Sequence, residues 1–248
     1  MDELTLDSIC NIRLYQSRKG YRFSIDPVLL SGFAGISGKM KTVADLGAGA
    51  GVIGLILAGR YAHISVTLIE MQDTLAALAE RNISLNHLQG RVKTVCADIS
   101  HLRGGGYPDL CPGSFDCIVA NPPFRSVGSG RISTTDEKAI ARHEIALTQE
   151  DLIAGSAFLL KNSGRFFIVY HPVRLTELIT RMRNLKIEPK RMRFVHPEMG
   201  KEATMVLIEG IKSGGVELKV EPPLYIYSPD GEYTGEVARM LGGFQKQL

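Results

Sequence analysis

Asn121, Pro122, Pro123 and Phe124 follow the apolar run Phe115-Asp116-Cys117-Ile118-Val119-Ala120 and sit where a buried strand would run out into a loop. Their types suit one kind of chemistry. The Asn121 carboxamide oxygen and the Pro122 carbonyl can both accept hydrogen bonds from a single planar NH₂ group. Two prolines fix φ near −65° and remove two backbone donors, which leaves that carbonyl unopposed. Phe124 adds a flat face for a planar ring. Such a site grips an amine conjugated to a ring or a carbonyl. The same four residues also read as an ordinary proline-rich turn, and taken alone they do not decide between the two.

A second constellation lies upstream. Val43-Ala44-Asp45-Leu46-Gly47-Ala48-Gly49-Ala50-Gly51 reads as a strand ending at Leu46, glycines at 47, 49 and 51, and a helix from about Val52. Glycines there permit a tight turn and close approach of a ligand at the positive end of a helix. Gly54 completes a GxGxxG counted from Gly49, so a dinucleotide reading stays open on the glycines alone. Asp45 discriminates, because a carboxylate beside the turn repels a pyrophosphate and suits a cationic amino-acid moiety. Glu70 ends the next strand, where an acid takes ribose hydroxyls. Asp98 follows the third strand, placed to accept from an adenine amine. Each acid alone reads equally as a solvated strand end or a helix cap. Three at successive strand ends mark the edge where such sheets bind ligands.

The elements that must position these groups follow from periodicity. Short apolar runs at 42–46, 64–70, 91–96, 115–120, 164–170, 189–196 and 203–210 read as strands. Helix-period segments fill 51–59, 72–86, 148–161 and 172–185, the alternation of a sheet covered by helices on both faces. Asp26 reads as the N-cap of a further helix with Pro27 at its first position. The polar stretch 125–145 is long enough to be functional or mobile, and the tail from Pro222 has too few apolar residues for its own core. At 248 residues, 44% hydrophobic, 22% charged and +3 net, the chain has the composition of an ordinary globular protein. Its apolar runs fall short of the ~20 residues a bilayer needs. Met1-Asp2-Glu3-Leu4 lacks the basic-then-apolar order of a signal peptide, so cytoplasm is the expected compartment. Cys10, Cys96, Cys111 and Cys117 show no CxxC spacing and are expected to be buried free thiols, with no metal site.

Together, the glycine turn, the three acids and the Asn-Pro-Pro-aromatic loop resemble the class I S-adenosylmethionine-dependent methyltransferases, in the branch that methylates amines. The resemblance implies a Rossmann-like, doubly wound α/β sheet of seven strands in the order 3-2-1-4-5-7-6, with strand 7 antiparallel. It implies an arm and helix over 1–40 and a methyltransferase domain over 41–248. Further segments are similar to bacterial valine-tRNA adenine N6-methyltransferases: Gln16 to Leu30, Arg142-His143-Glu144, Val195-His196-Pro197, Pro222 to Tyr227, and Asp230 to Thr234. By this resemblance S-adenosylmethionine is held by Phe23, Asp26, Asp45, Gly47, Gly49, Gly51, Glu70, Met71, Asp98, Ile99 and Asn121. The substrate is an adenine N6 amine in the anticodon-loop region of tRNA, and Asn121, Pro122, Pro123 and Phe124 are catalytic. Basic clusters can neutralise phosphates without reading bases; Arg18, Lys19, Arg22, Arg125, Arg131, Arg191 and Arg193 are the expected RNA contacts, and a monomer the expected state. The rivals are guanine N2 or protein glutamine methylation, a nicotinamide-dependent oxidoreductase, and a non-catalytic RNA-binding protein.

Overall fold

The computed structural model describes residues 4–17, 24–104, 106–122 and 148–242. The chain opens with a hairpin of β1 (Leu4–Ile9) and β2 (Ile12–Ser17). Ile9 pairs with Ile12 across a two-residue turn in which Cys10 and Asn11 both have positive φ, the turn whose twist matches that of the strands. Alternation along β2 turns Ile12, Leu14 and Gln16 inward. Helix α1 (Asp26–Phe33) follows. Its N-cap is Ile25, and Asp26 is its first residue rather than its cap. Burial raises the Asp26 pKa above the usual carboxylate range.

The central sheet then builds from β3 (Thr42–Leu46), α2 (Val52–Arg60), β4 (Ser65–Glu70), α3 (Asp73–Leu85), β5 (Val92–Cys96), a 3-10 helix at Ile99–Gly104 and β6 (Phe115–Ala120). After the undescribed stretch come α4 (Gln149–Leu159), β7 (Leu160–Tyr170), α5 (Leu175–Asn184), β8 (Ile187–His196) and β9 (Met205–Lys212). The chain closes with β10 (Lys219–Val220), β11 (Leu224–Tyr225) and α6 (Gly235–Met240). The order across the sheet is β10-β8-β9-β7-β6-β3-β4-β5, with β11 also on β8. β9 runs antiparallel to both β7 and β8; the other pairings are parallel. The sheet therefore holds nine strands among the described residues, not the seven expected. The two extra strands are dipeptides flanking Pro222-Pro223, too short to show a period. They form because β8 offers them an open edge.

Successive residues of each strand point to opposite faces, and both faces are dry. Val43, Val66, Leu68, Val119 and Phe167 join the core under α1, α2, α3 and the hairpin. Ala44, Ile69, Ile118 and Phe166 join the core under the 3-10 helix, α4 and α5. Burial on both sides explains why the strands read as unbroken apolar runs. The tail docks on the first core through Leu224, Ile226 and Val237. No helix among the described residues is long and apolar enough to cross a membrane.

Candidate active site

Strand register assembles the site. Leu46 pairs with Ile69 on one side and Ala120 on the other, and Glu70 pairs with Cys96. Gly47, Glu70, Asp98 and Asn121 thus leave the sheet at the same carboxyl edge. From β3 the chain steps outward to β4 and β5, then returns to place β6 on the opposite side of β3. That reversal is the switch point where open α/β sheets hold ligands. The glycine turn and Asn121 lie on its two walls.

Gly47, Gly49 and Gly51 all have positive φ, +69°, +55° and +86°. The turn is fixed from β4: Gly47 N and Ala48 N donate to the Ile69 carbonyl at 2.9 and 3.0 Å. The glycines serve different ends. A Cβ on Gly51 would sit 2.7 Å from Leu68 Cδ1, and one on Gly54 only 2.3 Å from Leu68 Cδ2, so these two let α2 pack on the sheet. A Cβ on Gly49 would meet nothing within 4 Å. Gly49 is the point where the turn lies open to a ligand.

Two buried carboxylates clamp this turn. Glu70 Oε2 accepts from Gly49 N at 2.9 Å, while Oε1 accepts from Gln72 N at 3.0 Å. Asp45 is 1% exposed, and its Oδ2 accepts from Gly54 N at 2.9 Å, at the N-terminus of α2. Burial pushes the Asp45 pKa up to about 7 against the pull of the Gly54 amide, and the Glu70 carboxylate adds to the rise. Asp45 thus lies beneath the turn and holds the amide of the third residue of α2. Asp98 Oδ1 takes the Ser100 amide and hydroxyl at 2.9 and 2.7 Å. Partial burial opposes ionisation of Asp98, but Ser100 and the nearby His101 outweigh it and hold its pKa below the usual range. Met71 is 40% exposed at this edge, Ile99 is buried beneath it, Asn121 is half-buried and Pro122 buried.

One contributor carries no motif. Asn82, fully buried in α3, accepts from Tyr15 N at 2.7 Å and donates to Tyr15 O and Ala50 O at 3.2 and 3.0 Å. It joins the N-terminal hairpin to the glycine turn. Asn86, one turn later, repeats the exchange with Arg13. An Asn pair at i, i+4 on an otherwise amphipathic helix is the signal, which gains meaning only when an open strand lies alongside.

Two of the basic residues expected to meet RNA are engaged within the protein. Arg191 donates to Glu209 at 2.7 Å and to the Phe33 carbonyl at 2.7 Å, and its guanidinium lies 4.0 Å over the Phe33 ring. Arg193 grips Glu236 through both terminal nitrogens, at 2.5 and 2.8 Å, and Pro222 O at 2.9 Å. Arg193 ties the tail to β8, and Arg191, which also reaches Glu221 at 3.3 Å, ties β8 to β9, α1 and the tail, because a short-stranded segment with a small core needs ionic fastening. The thiol expectation also changes: Cys117 is buried, Cys10 half-buried, and Cys96 and Cys111 are exposed. Phe23, Pro123, Phe124, Arg18, Lys19, Arg22, Arg125 and Arg131 lie outside the described residues. A groove between α4 and α5 is bridged by its own Arg181–Glu150 ion pair, and Arg181 is held in place by Glu177 of the same helix.

A doubly wound sheet with a glycine turn clamped by acids at its switch point defines a nucleotide-cofactor-binding α/β protein. The model of the methyltransferase small domain family matches residues 27–186, and the chain belongs to that family. A protein of Trichodesmium erythraeum named tRNA1(Val) (adenine(37)-N6)-methyltransferase is 30% identical over 157 residues, covering 62% of this chain and 62% of that protein. The chain thus spans under two thirds of that relative's length. A protein of the same name from a Shewanella species is 27% identical over 236 residues, covering 92% of this chain and 94% of its own. Among solved structures, a predicted O-methyltransferase from Agrobacterium tumefaciens superposes with a TM-score of 0.71 at 23% identity, over 88% of this chain and 96% of that one. That likeness concerns the fold.

Proposed function

We propose that this protein transfers a methyl group from S-adenosylmethionine to the exocyclic N6 amine of an adenine in tRNA. The observation that carries the reading is the adjacency of the two walls. Ala120, the residue before Asn121, pairs with Leu46, the residue before Gly47, which supports an amine cradle next to the cofactor turn. The names of the tRNA1(Val) relatives favour an adenine of tRNA as the acceptor. We read the seven longer strands of the sheet as the class I methyltransferase order 3-2-1-4-5-7-6, with β10 and β11 as additions. We place the protein in the cytoplasm, with its RNA.

The residues fit the cofactor. The open face of Gly49 admits close approach, Glu70, bonded to Gly49 N, is the acid that suits ribose hydroxyls there, and Asp45 supports the turn from beneath. Met71 offers an apolar surface beside Asp98 for a flat base. When bound, S-adenosylmethionine supplies an electrophilic methyl on a sulfonium. The protein's task is to make a poor nucleophile attack. The N6 lone pair is delocalised into the adenine ring. Hydrogen bonds from N6–H to the Asn121 oxygen and the Pro122 carbonyl draw the nitrogen toward sp³ geometry and stabilise its developing positive charge, which is electrostatic preorganisation. Positioning supplies the rest. The methylated ammonium is acidic enough to lose its proton to water. An adenine within a loop must be splayed out to reach this cradle.

Incubation with labelled S-adenosylmethionine and total tRNA from a strain lacking the gene, followed by digestion to nucleosides, tests the reading. Label is expected in N6-methyladenosine. Label in N2-methylguanosine, or in protein, would overturn it.

A further inference from the structure

Of the nine large apolar side chains exposed among the described residues, four share one edge of the sheet. Past the carboxyl ends of β7, β8 and β11 stand Val173 (82% exposed), Met199 (77%), Tyr227 (37%) and Tyr233 (43%). The register makes this one edge. Tyr170 of β7 pairs with Val206 of β9, which pairs with Phe194 of β8, so β7 and β8 end on the side where Asn121 leaves β6. β11 runs parallel to β8 and prolongs it, with Ile226 N donating to His196 O and Tyr227 N to Pro197 O. The chain then turns back beyond the sheet. Ser228 N donates to Glu232 O, Gly231 has φ +83°, and Tyr227 bridges Tyr233.

The two tyrosine rings lie face to face, 5.3 Å between centroids and 15° between planes. Behind them Tyr225 and His196 pack at 5.6 Å. The tail does not need the outer pair for its anchorage, which comes from Leu224, Ile226, Val237 and the Arg193–Glu236 bridge. Stacked flat rings projecting from the active edge match the chemistry of base stacking, in which any base offers a π-face. The surrounding charge names the part of the nucleotide that is met. Glu198, Glu202, Asp230 and Glu232 are exposed here against Lys201, so any grip on a nucleotide comes from the rings on its base and not from a phosphate contact.

We propose that Tyr227 and Tyr233, backed by Tyr225 and His196, form a stacking shelf for an unpaired nucleobase of the RNA substrate other than the target base. The inference rests on the tRNA reading above. Four strand spacings separate β11 from β6, roughly 19 Å at the usual spacing of neighbouring strands. The shelf therefore holds a nucleotide several positions from the adenine being modified, and acts as a second grip that fixes which base reaches Asn121.

The test uses the full chain and tRNA transcripts carrying 2-aminopurine at successive loop positions. Wild-type protein is expected to quench one position away from the target. Tyr227→Ala/Tyr233→Ala should abolish that quench and raise KM for tRNA about 10- to 100-fold, with kcat and cofactor affinity unchanged. Tyr227→Phe/Tyr233→Phe should behave as wild type, and Tyr227→Leu/Tyr233→Leu, which keeps apolar cover, should behave as the alanine pair. The salt dependence of binding should stay the same in all variants, since no phosphate contact is lost. An unchanged KM in the alanine pair, or a leucine pair indistinguishable from wild type, overturns the shelf. So does loss of self-association in sedimentation with RNA affinity intact, which would make the surface a protein contact. A wild-type enzyme yielding no N6-methyladenosine sinks the tRNA reading itself. Normal product with an unchanged KM in the alanine pair sinks the shelf alone.

Discussion

Glu70 Oε2 accepts the Gly49 N–H at 2.9 Å, so the last residue of β4 is bonded to the half-buried middle of the turn that follows β3. An acid expected only to meet a ligand also shapes the loop that meets it. Glu70→Ala leaves Gly49 N and Gln72 N without this partner, at about 1–3 kcal/mol for such groups. Calorimetry should show S-adenosylmethionine binding weakened roughly 10- to 100-fold, and Glu70→Gln, which retains one acceptor oxygen, weakened less. Unchanged affinity in the alanine variant would remove both roles.

Asn121→Ala removes the amine acceptor and leaves the glycine turn untouched. kcat is expected to fall at least 100-fold, the scale of losing one preorganised hydrogen-bonding group. Cofactor affinity should stay within a few fold. Methylation near the wild-type rate would sink the assignment of this loop.

The buried Asp45 gives a pH signature. Its folded-state pKa of about 7 lies above that of an unfolded Asp, near 4. Between these values the unfolded chain has released a proton that the folded chain keeps. Stability from this group therefore falls as pH rises from about 4 to 7 and levels off above. Asp45→Asn can still accept from Gly54 N and does not titrate. Between pH 5 and pH 8, urea unfolding should show wild type losing about 3 kcal/mol more than the variant, at about 1.4 kcal/mol per unit over two units. Parallel pH profiles would contradict the buried-carboxylate account.

Two glycines five residues apart should respond in opposite ways. Gly54→Ala drives a Cβ into Leu68, with Val66 Cγ1 at 3.0 Å and Asp45 Oδ2 at 3.3 Å, and should cost about 1–3 kcal/mol of stability. Gly49→Ala meets no clash. It should unfold only slightly more easily, from its positive φ, yet bind cofactor much more weakly. Thermal unfolding beside calorimetry separates the two, and equal stability losses would contradict the division of labour.

Arg191→Ala removes one of the two cations on Glu209, which is 3% exposed and keeps Arg165 as its remaining partner. A loss of about 2 kcal/mol in stability is expected, the scale of one hydrogen bond to a charged group whose other partner remains. Binding of tRNA measured well below the melting temperature should keep its salt slope. A slope smaller by one phosphate contact would restore Arg191 to the RNA surface.

The alternation of apolar runs and helix periods, the glycines after Leu46, and the acids and Asn121 at strand ends were legible along the chain, because each follows from local rules of period, turn conformation and strand termination. Those rules place Asp45, Glu70, Asp98 and Asn121 on one edge, but they do not say which way a side chain turns there. Asp45 turns inward to Gly54. Asp98 caps its own 3-10 helix. Arg191 and Arg193, basic residues in an apparently solvated stretch, are consumed by Glu209 and Glu236, residues 18 and 43 positions away.

The sequence by itself thus determined the layered sheet, the glycine turn and the place of Asn121 at the end of β6, since these depend on residues close together in the chain. Only the tertiary structure decided what depends on partners distant in sequence. It set the carboxylates against the turn amides, joined Asn82 to the hairpin and Ala50, added two strands to the edge of β8, and raised the Tyr227–Tyr233 pair above the active edge. Hydrogen bonds and ion pairs of that kind are chosen by proximity in space, which spacing along the chain does not encode.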